Sequence, residues 1–264
     1  MRLEAVACVF LLTCGTAALA AETGVELEPA HNNLANTASL QRGAKYFVNY
    51  CLGCHSAKYV RYNRLAAGLE LSDKQLVDNL MFTGEQPFDT MSNAMRSEDA
   101  ERWFGRSPPD LSLIARSRGT DYIYNYLRGF YEDDTRPTGA NNIVLPNTAM
   151  PDVLWELQGI RRPIHAKSES GDAQSNGDGD GDGDGDGDGQ DAATAITGFE
   201  VVLQGLMTEP QFDQVARDIV NFLDYIGEPM RQERERLGTR VIGFLLVFLL
   251  VAYLLKKEIW KDVA

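Results

Sequence analysis

Ser39-Leu40-Gln41-Arg42-Gly43-Ala44-Lys45-Tyr46-Phe47-Val48-Asn49-Tyr50 runs without a break into Cys51-Leu52-Gly53-Cys54-His55. The first part predicts a helix with Leu40, Ala44, Phe47 and Val48 on one side, and Gly43 leaves room for a neighbouring backbone to come close. The second part is a C-x-x-C-H sequence, the signature of covalent c-type haem attachment. Two thiols on one tight turn can form thioethers with the two vinyl groups of a haem, and the adjacent histidine then faces the iron. A thioredoxin-like redox pair would want a βαβ context, and a zinc site would want two further ligands at similar spacing. The sequence supplies neither.

Working outward, a six-coordinate haem iron needs a second axial ligand. The chain beyond residue 20 offers His31, His165 and the methionines Met81, Met91, Met95, Met150, Met207 and Met230. Most of these methionines read as core fillers or surface residues. Met150 stands apart because it lies in a loop, Pro146-Asn147-Thr148-Ala149-Met150-Pro151, well after the motif and before the last soluble helix. A ligand on such a loop can approach the iron from the face opposite His55. His165 sits in a basic stretch with Arg161, Arg162 and Lys167 and reads as a solvated surface residue.

The whole chain has 264 residues, 44% hydrophobic and 24% charged, which excludes wholesale disorder, a collagen-like rod and a polytopic membrane protein. Its net charge of -13 is uneven. Nine acids and no base fall between Ser168 and Asp191, so taking those nine from -13 leaves -4 for the remainder. No basic patch is available to bind nucleic acid. The Gly/Asp alternation of 168–191 has almost nothing apolar to bury and predicts a disordered acidic insertion. Neither calcium-loop pattern matches it.

The ends of the chain carry addresses. Residues 1–20 read as a signal peptide, with Arg2, an apolar stretch from Val6 to Leu12, and Ala18-Leu19-Ala20 as a small-x-small cleavage pattern. Its removal takes Cys8 and Cys14 with it and leaves Cys51 and Cys54 as the thiols of the exported chain. Val241 to Leu255 holds no charge. Counted from Leu237 to Lys256, with Arg240 and Lys256 snorkelling, the segment reaches nearly a full bilayer span. The expected organisation is therefore a signal peptide (1–20), a periplasmic domain (21–236), a transmembrane anchor (237–256) and a cytoplasmic tail (257–264), on a bacterial inner membrane. In the domain, Asp121 caps a helix over Tyr122 to Arg128, with Gly129 at its end. Thr208 opens a longer one carrying Phe212, Val215, Ile219, Phe222 and Ile226, which ends before Pro229. No β-alternating segment of comparable strength is evident.

Several runs, taken in order, resemble the cytochrome c1 family, the haem subunits of cytochrome bc1 complexes. They are Ser39 to Gly43, Phe47 to Cys51, Tyr62-Asn63-Arg64-Leu65, Pro108-Pro109-Asp110-Leu111-Ser112 with Arg116-Ser117-Arg118, and Asp121 through Gly129-Phe130-Tyr131. Asn141-Asn142, Ala149-Met150-Pro151, Val220 to Leu223 and Glu228-Pro229 continue the match. The resemblance implies a mostly α, cytochrome c-type haem domain with insertions plus one C-terminal transmembrane helix. It implies haem c on Cys51 and Cys54, axial ligation by His55 and Met150, and pairing of a haem propionate with Arg118, with Arg116 the competing position. It also implies cytochrome b and a Rieske iron–sulfur protein as neighbours, and a cytochrome c as electron acceptor. An electron carrier of this kind needs no acid–base or nucleophilic machinery. Two other classes share the motif: a monohaem c-type subunit of another respiratory complex, and a tethered haem peroxidase or sensor with an open sixth position.

Overall fold

The computed structural model describes residues 26–165 and 196–263. The expected signal peptide, with Cys8 and Cys14, and the Ser168–Asp191 tract lie outside the described residues. Helices dominate: α1 (Thr37–Tyr46), α2 (Tyr62–Gly68), α3 (Asp73–Asn79), α4 (Ser97–Phe104), α5 (Ile114–Arg118), α6 (Thr120–Arg128), α7 (Trp155–Gln158), α8 (Glu209–Gly227) and α9 (Arg231–Ile259). Three two-stranded antiparallel ladders join them: β1 (Ala57–Arg61) with β2 (Thr90–Met91), β3 (Phe130–Glu132) with β4 (Ala140–Asn142), and β5 (Gly159–His165) with β6 (Ile196–Gln204). The expected fold class, a mostly α domain with one terminal apolar helix, is the one observed.

The frame is the crossing of α1 and α8. Asn36 caps α1 by accepting a hydrogen bond from the Ser39 amide at 3.1 Å. Thr208 and Gln211 cap α8 reciprocally, a capping box that fixes where the long helix begins. At the crossing Gly43 is indispensable, because a Cβ there would fall 2.0 Å from the Asp218 carbonyl oxygen and 2.7 Å from Phe222 Cβ. The Phe47 and Phe222 rings meet at 5.2 Å. Beside them Asp218, 1% exposed on its side chain, accepts from Ser39 Oγ at 2.5 Å and from Arg42 at 2.6 and 2.9 Å. A buried carboxylate is tolerable only when its lone pairs are filled this way. The segment before α1 is strapped across the same helices: the Ala30 amide donates to Asp121 at 2.8 Å, and the Asn33 amide to Asn221 at 2.6 Å.

Most expected helices are found with shifted ends. The one expected to run through Tyr50 closes its α-helical part at Tyr46 and continues as a π-helical turn, Phe47–Cys51. Such turns re-aim side chains and recur at functional sites. Asp121 lies inside the first turn of α6 rather than at its cap, since its carboxylate is committed to Ala30. The β5–β6 hairpin was not expected. Among the described residues its strands are paired only with each other and no residue of β6 is buried, so no apolar–polar alternation is enforced, while Pro163 lies within β5. The β-branched and aromatic content of Ile196-Thr197-Gly198-Phe199-Glu200-Val201-Val202-Leu203 was the available signal. The hairpin brackets the acidic tract, with His165 paired to Ile196.

Helix α9 spans 29 residues, none of them buried, and is long and apolar enough to cross a membrane. At ~1.5 Å per residue its length is about 43 Å, more than a ~30 Å hydrocarbon core requires. Its first two turns, Arg231 to Gly238, are therefore polar stem.

Candidate functional site

The π-helical turn delivers Cys51 to a tight turn closed by two amides, Cys54 to the Cys51 carbonyl at 3.0 Å and His55 to the same carbonyl at 2.8 Å. The two sulfurs are not bonded to each other, Cys51 is buried and Cys54 half-buried, and Gly53 between them faces open space. Burial pushes the Cys51 thiol up to about 12, helped by the neighbouring Cys54, and burial also raises Cys54. His55 is 9% exposed, and its Nδ1 lies 2.8 Å from the Pro109 carbonyl oxygen. That carbonyl can only accept, so Nδ1 carries the proton and Nε2 keeps a free lone pair. Burial lowers the His55 pKa, against the Pro109 hydrogen bond and Asp110, which favour the charged ring.

The Pro-Pro-Asp-Leu-Ser run is the clamp that holds this histidine. Asp110 accepts from the Lys58 and Ser112 amides, both at 2.9 Å, while the Leu111 amide donates to the Ser56 carbonyl at 2.8 Å. Burial works to raise Asp110, but the hydrogen bonds from Ser112 and Lys58 outweigh it and hold the carboxyl below its usual range. Asn93 braces the turn from the other side, its side-chain amide donating to the Cys54 carbonyl and its backbone amide to Ser56 Oγ at 3.0 Å. A small cavity of about 60 Å³ beside Cys54 is lined by Asn93, Met95, Pro108 and Asp110. A larger one, about 340 Å³, lies away from the motif, between residues 32–35 and the start of α9.

Met150 is half-buried in the loop between β4 and α7. This loop is fastened on three sides. Asn141 Oδ1 accepts from the Asn142 and Asn147 amides, both at 2.8 Å, and Asn141 Nδ2 donates to Asp133 at 2.8 Å. Asn142 Nδ2 donates to the Tyr126 carbonyl at 2.8 Å, and Arg136 holds Asn147 at 3.1 and 3.2 Å. Thr148, 6% exposed, accepts from the Met150 amide at 3.4 Å and shares a 2.9 Å hydrogen bond with the Tyr126 hydroxyl. Asp152, just past the loop, is pushed up to about 6 by burial, opposed by the Leu154 amide and by Arg161.

Arg118 is exposed at the end of α5, with its guanidinium 5.6 Å from the centroid of the Tyr122 ring. Tyr122 stacks on Tyr126 at 6.2 Å, and Tyr126 meets Phe130 edge-on at 5.2 Å. Arg118 and the Met150 loop thus share one wall, the aromatic face of α6. Arg116 turns the other way, 3.5 Å from Glu228 beyond the end of α8.

The other residues weighed as axial ligands are placed as follows. Met91 is fully buried in the core, Met81 and Met207 pack against it, and Met230 is exposed at the start of α9. His31 and His165 are exposed. Arg161, in the basic stretch before His165, is half-buried, over the Phe199 ring at 4.5 Å and donating to the Phe130 carbonyl at 3.0 Å. The Pro109 carbonyl, Asn93, Tyr126 and Thr148 were not singled out from sequence. A backbone acceptor carries no side-chain signal, and the Tyr126–Thr148 pair joins residues 22 apart.

A buried, clamped histidine beside two cysteines on one turn, in a helical head followed by a helix long and apolar enough to cross a membrane, is the arrangement of a monohaem protein of the c type. The donor set fits that group: two thiols on one turn and an imidazole with a free Nε2. A sequence profile of the Cytochrome C1 family matches residues 31–159 and 200–263. The chain belongs to the cytochrome c1 family, and membership brings one covalently bound haem c. It is 45% identical to a cytochrome c1 of Allochromatium vinosum over 96% of both chains. It is 38% identical to an ammonia monooxygenase gamma subunit of Nitrosomonas europaea, over 90% of this chain and 89% of that one. It is 25% identical to a cytochrome b/c1 of Bradyrhizobium diazoefficiens, over 85% of this chain and 33% of that longer protein. The chain is thus a membrane-anchored electron-transport subunit of the bc1 kind.

Proposed function

We propose that this chain receives electrons from a Rieske iron–sulfur protein and passes them to a cytochrome c, as the haem subunit of a quinol-oxidising bc1 complex. In this reading Cys51 and Cys54 would hold the haem through thioethers. His55 Nε2 and the Met150 sulfur would hold its iron, and Arg118 would pair with a haem propionate. The observation that carries the reading is the 2.8 Å contact from His55 Nδ1 to the Pro109 carbonyl, which fixes the tautomer and aims Nε2 as a ligand. The haem supplies one-electron redox chemistry. The chain's own residues hold the ring, exclude water and, through a thioether ligand, raise the potential, which suits a carrier late in a quinol-oxidising sequence.

Cytochrome b is the proposed neighbour of α9; the fused cytochrome b/c1 relative supports that pairing. The domain order is proposed as signal peptide (1–20), periplasmic head (21–236), anchor (237–256) and cytoplasmic tail (257–264). The deciding experiment is gentle detergent extraction of the native membrane followed by affinity capture of this chain. Co-purification of a cytochrome b and an iron–sulfur subunit with quinol–cytochrome c reductase activity is expected. A complex lacking both would favour a second reading, membership of a different membrane oxidase, which the ammonia monooxygenase gamma relative motivates.

A further inference from the structure

We infer that Glu228 is a positioning residue for electron transfer: its carboxylate pins helix α5 to helix α9 and so fixes the inclination of the haem to the membrane. The pin rests on the haem site and the anchor proposed above. Between α8 and α9 lie only Glu228, Pro229 and Met230, and the ring of Pro229 locks its own φ. One Glu228 oxygen is 2.7 Å from Arg234 Nε on α9, and the other is 3.5 Å from Arg116 Nη1 on α5. The Glu228 side chain is 24% exposed, so water competes weakly with these two guanidinium groups. Helix α5 begins just after the Pro109–Ser112 clamp of His55 and ends at Arg118. Arg116 lies between the two, close under the end of α8, where a Cβ on Gly227 would be 3.4 Å from Arg116 Cγ. A carboxylate at the root of the anchor therefore holds the short helix that borders the haem site.

Apolar packing does not set this angle. No residue of α9 is buried, and a cavity of about 340 Å³ separates its first turns from residues 32–35. The wall of that gap is spanned by a longer tie, Arg231 lying 3.5 Å from Asp224 and 3.1 Å from Glu235. Asp224 is in turn held by Asn32 Nδ2 at 2.5 Å. The joint is thus polar, and Glu228 makes its shortest link between head and anchor. The test uses the full haem-loaded chain in bilayers laid on a flat support. The electron paramagnetic resonance of its ferric haem is followed as the sheet is turned in the field, which reads the inclination of the haem and its spread. Potentiometric titration of the same samples gives the reduction potential.

The wild type is expected to hold one inclination. Glu228→Gln removes the pin, and Arg234→Gln cuts its shorter arm from the exposed stem of α9, away from the packing of the head. Each should raise the share of haems off the wild-type inclination about fivefold, the factor that ~1 kcal/mol carries, with the reduction potential unmoved. Adding Arg234→Gln to Glu228→Gln should change nothing more, because the contact is already lost. Arg236→Gln, two residues further on and so on the other side of the helix, should match the wild type. A wild-type signal without angular dependence, an Arg234→Gln spread equal to the wild type, or equal broadening by Arg236→Gln would overturn the pin. A shifted potential in Arg234→Gln would also overturn it, since the change would then lie in the haem site. If the haem-loaded chain fails to sediment with the bilayers, the anchor assignment itself falls and the pin falls with it.

Discussion

Gly43→Ala tests the packing on which the whole head is built. The added Cβ would sit 2.0 Å from the Asp218 carbonyl oxygen, and ordinary contact begins at 3.4 Å, so the facing backbone must retreat by about 1.4 Å. Neither neighbour can yield alone, because the oxygen is helical backbone and Phe222 is fully buried. Separating α1 from α8 also stretches the contacts of Ser39 and Arg42 with the buried Asp218 carboxylate. Overpacking costs ~1–3 kcal/mol, loosening the hydrogen bonds to the buried Asp218 carboxylate adds ~1–2 kcal/mol, and alanine's helix preference returns ~1 kcal/mol. The net is a loss of about 3 kcal/mol, which at ~2–4 °C per kcal/mol for a chain of this size lowers Tm by roughly 6–12 °C. The assay is thermal unfolding of the detergent-solubilised, haem-loaded chain by circular dichroism. Gly198→Ala is the control, since its Cβ meets only Ile164 Cδ1 at 3.9 Å. A Gly43→Ala melting point inside the scatter of the wild type, or an equal fall in the control, would refute the argument.

Four further outcomes are expected. Acid–acetone extraction should leave haem on the wild-type polypeptide, and Cys51→Ser with Cys54→Ser should lose it; complete extraction from the wild type contradicts thioether attachment. If Arg118 pairs with a haem propionate as proposed, Arg118→Gln should lower the reduction potential by removing that cation, whereas Arg116→Gln, whose side chain faces Glu228, should leave it unmoved; potentiometric titration of both reads the difference. Asp133 is held below the usual carboxylate range: burial works to raise it, but hydrogen bonds from Thr135 and Asn141 prevail. Its contribution is therefore complete above the unfolded carboxylate pKa and is lost as pH falls through the depressed folded value, so wild type and Asp133→Asn should differ in Tm at neutral pH and converge in acid. Deleting residues 168–191 removes nine negative charges. If the tract steers a basic cytochrome c, the salt dependence of its reduction rate should flatten, and parallel dependences would mark the tract as a bystander.

What could be read in advance follows the range of the interactions. The C-x-x-C-H turn, the apolar spacing of Phe212, Val215, Ile219, Phe222 and Ile226, and the uncharged run from Val241 to Leu255 are local patterns, and each has its structural counterpart. The Pro109 carbonyl on His55 was not legible, because it joins positions 54 apart through a backbone atom that every residue possesses. The competition between Arg116 and Arg118 was equally closed to sequence, since their surroundings are set by the tilt of α5 against α8 and α6. Asn141 and Asn142 were recognisable as a pair, yet their work, tying the Met150 loop to Tyr126 and Asp133, emerges only in three dimensions. The β5–β6 hairpin escaped for the opposite reason, a strand pair too lightly buried to need alternation.

That hairpin also offers a handle for engineering. Its ladder joins His165 directly to Ile196, so whatever chain departs from one must come home to the other. Closing a loop costs only logarithmically more as it lengthens, about 0.6 kcal/mol per doubling. A fluorescent protein, an affinity tag or a short glycine linker exchanged at this port would therefore load the head with little thermodynamic penalty. It would also leave Cys51, His55 and Met150 on their own supports, one ladder removed from the graft.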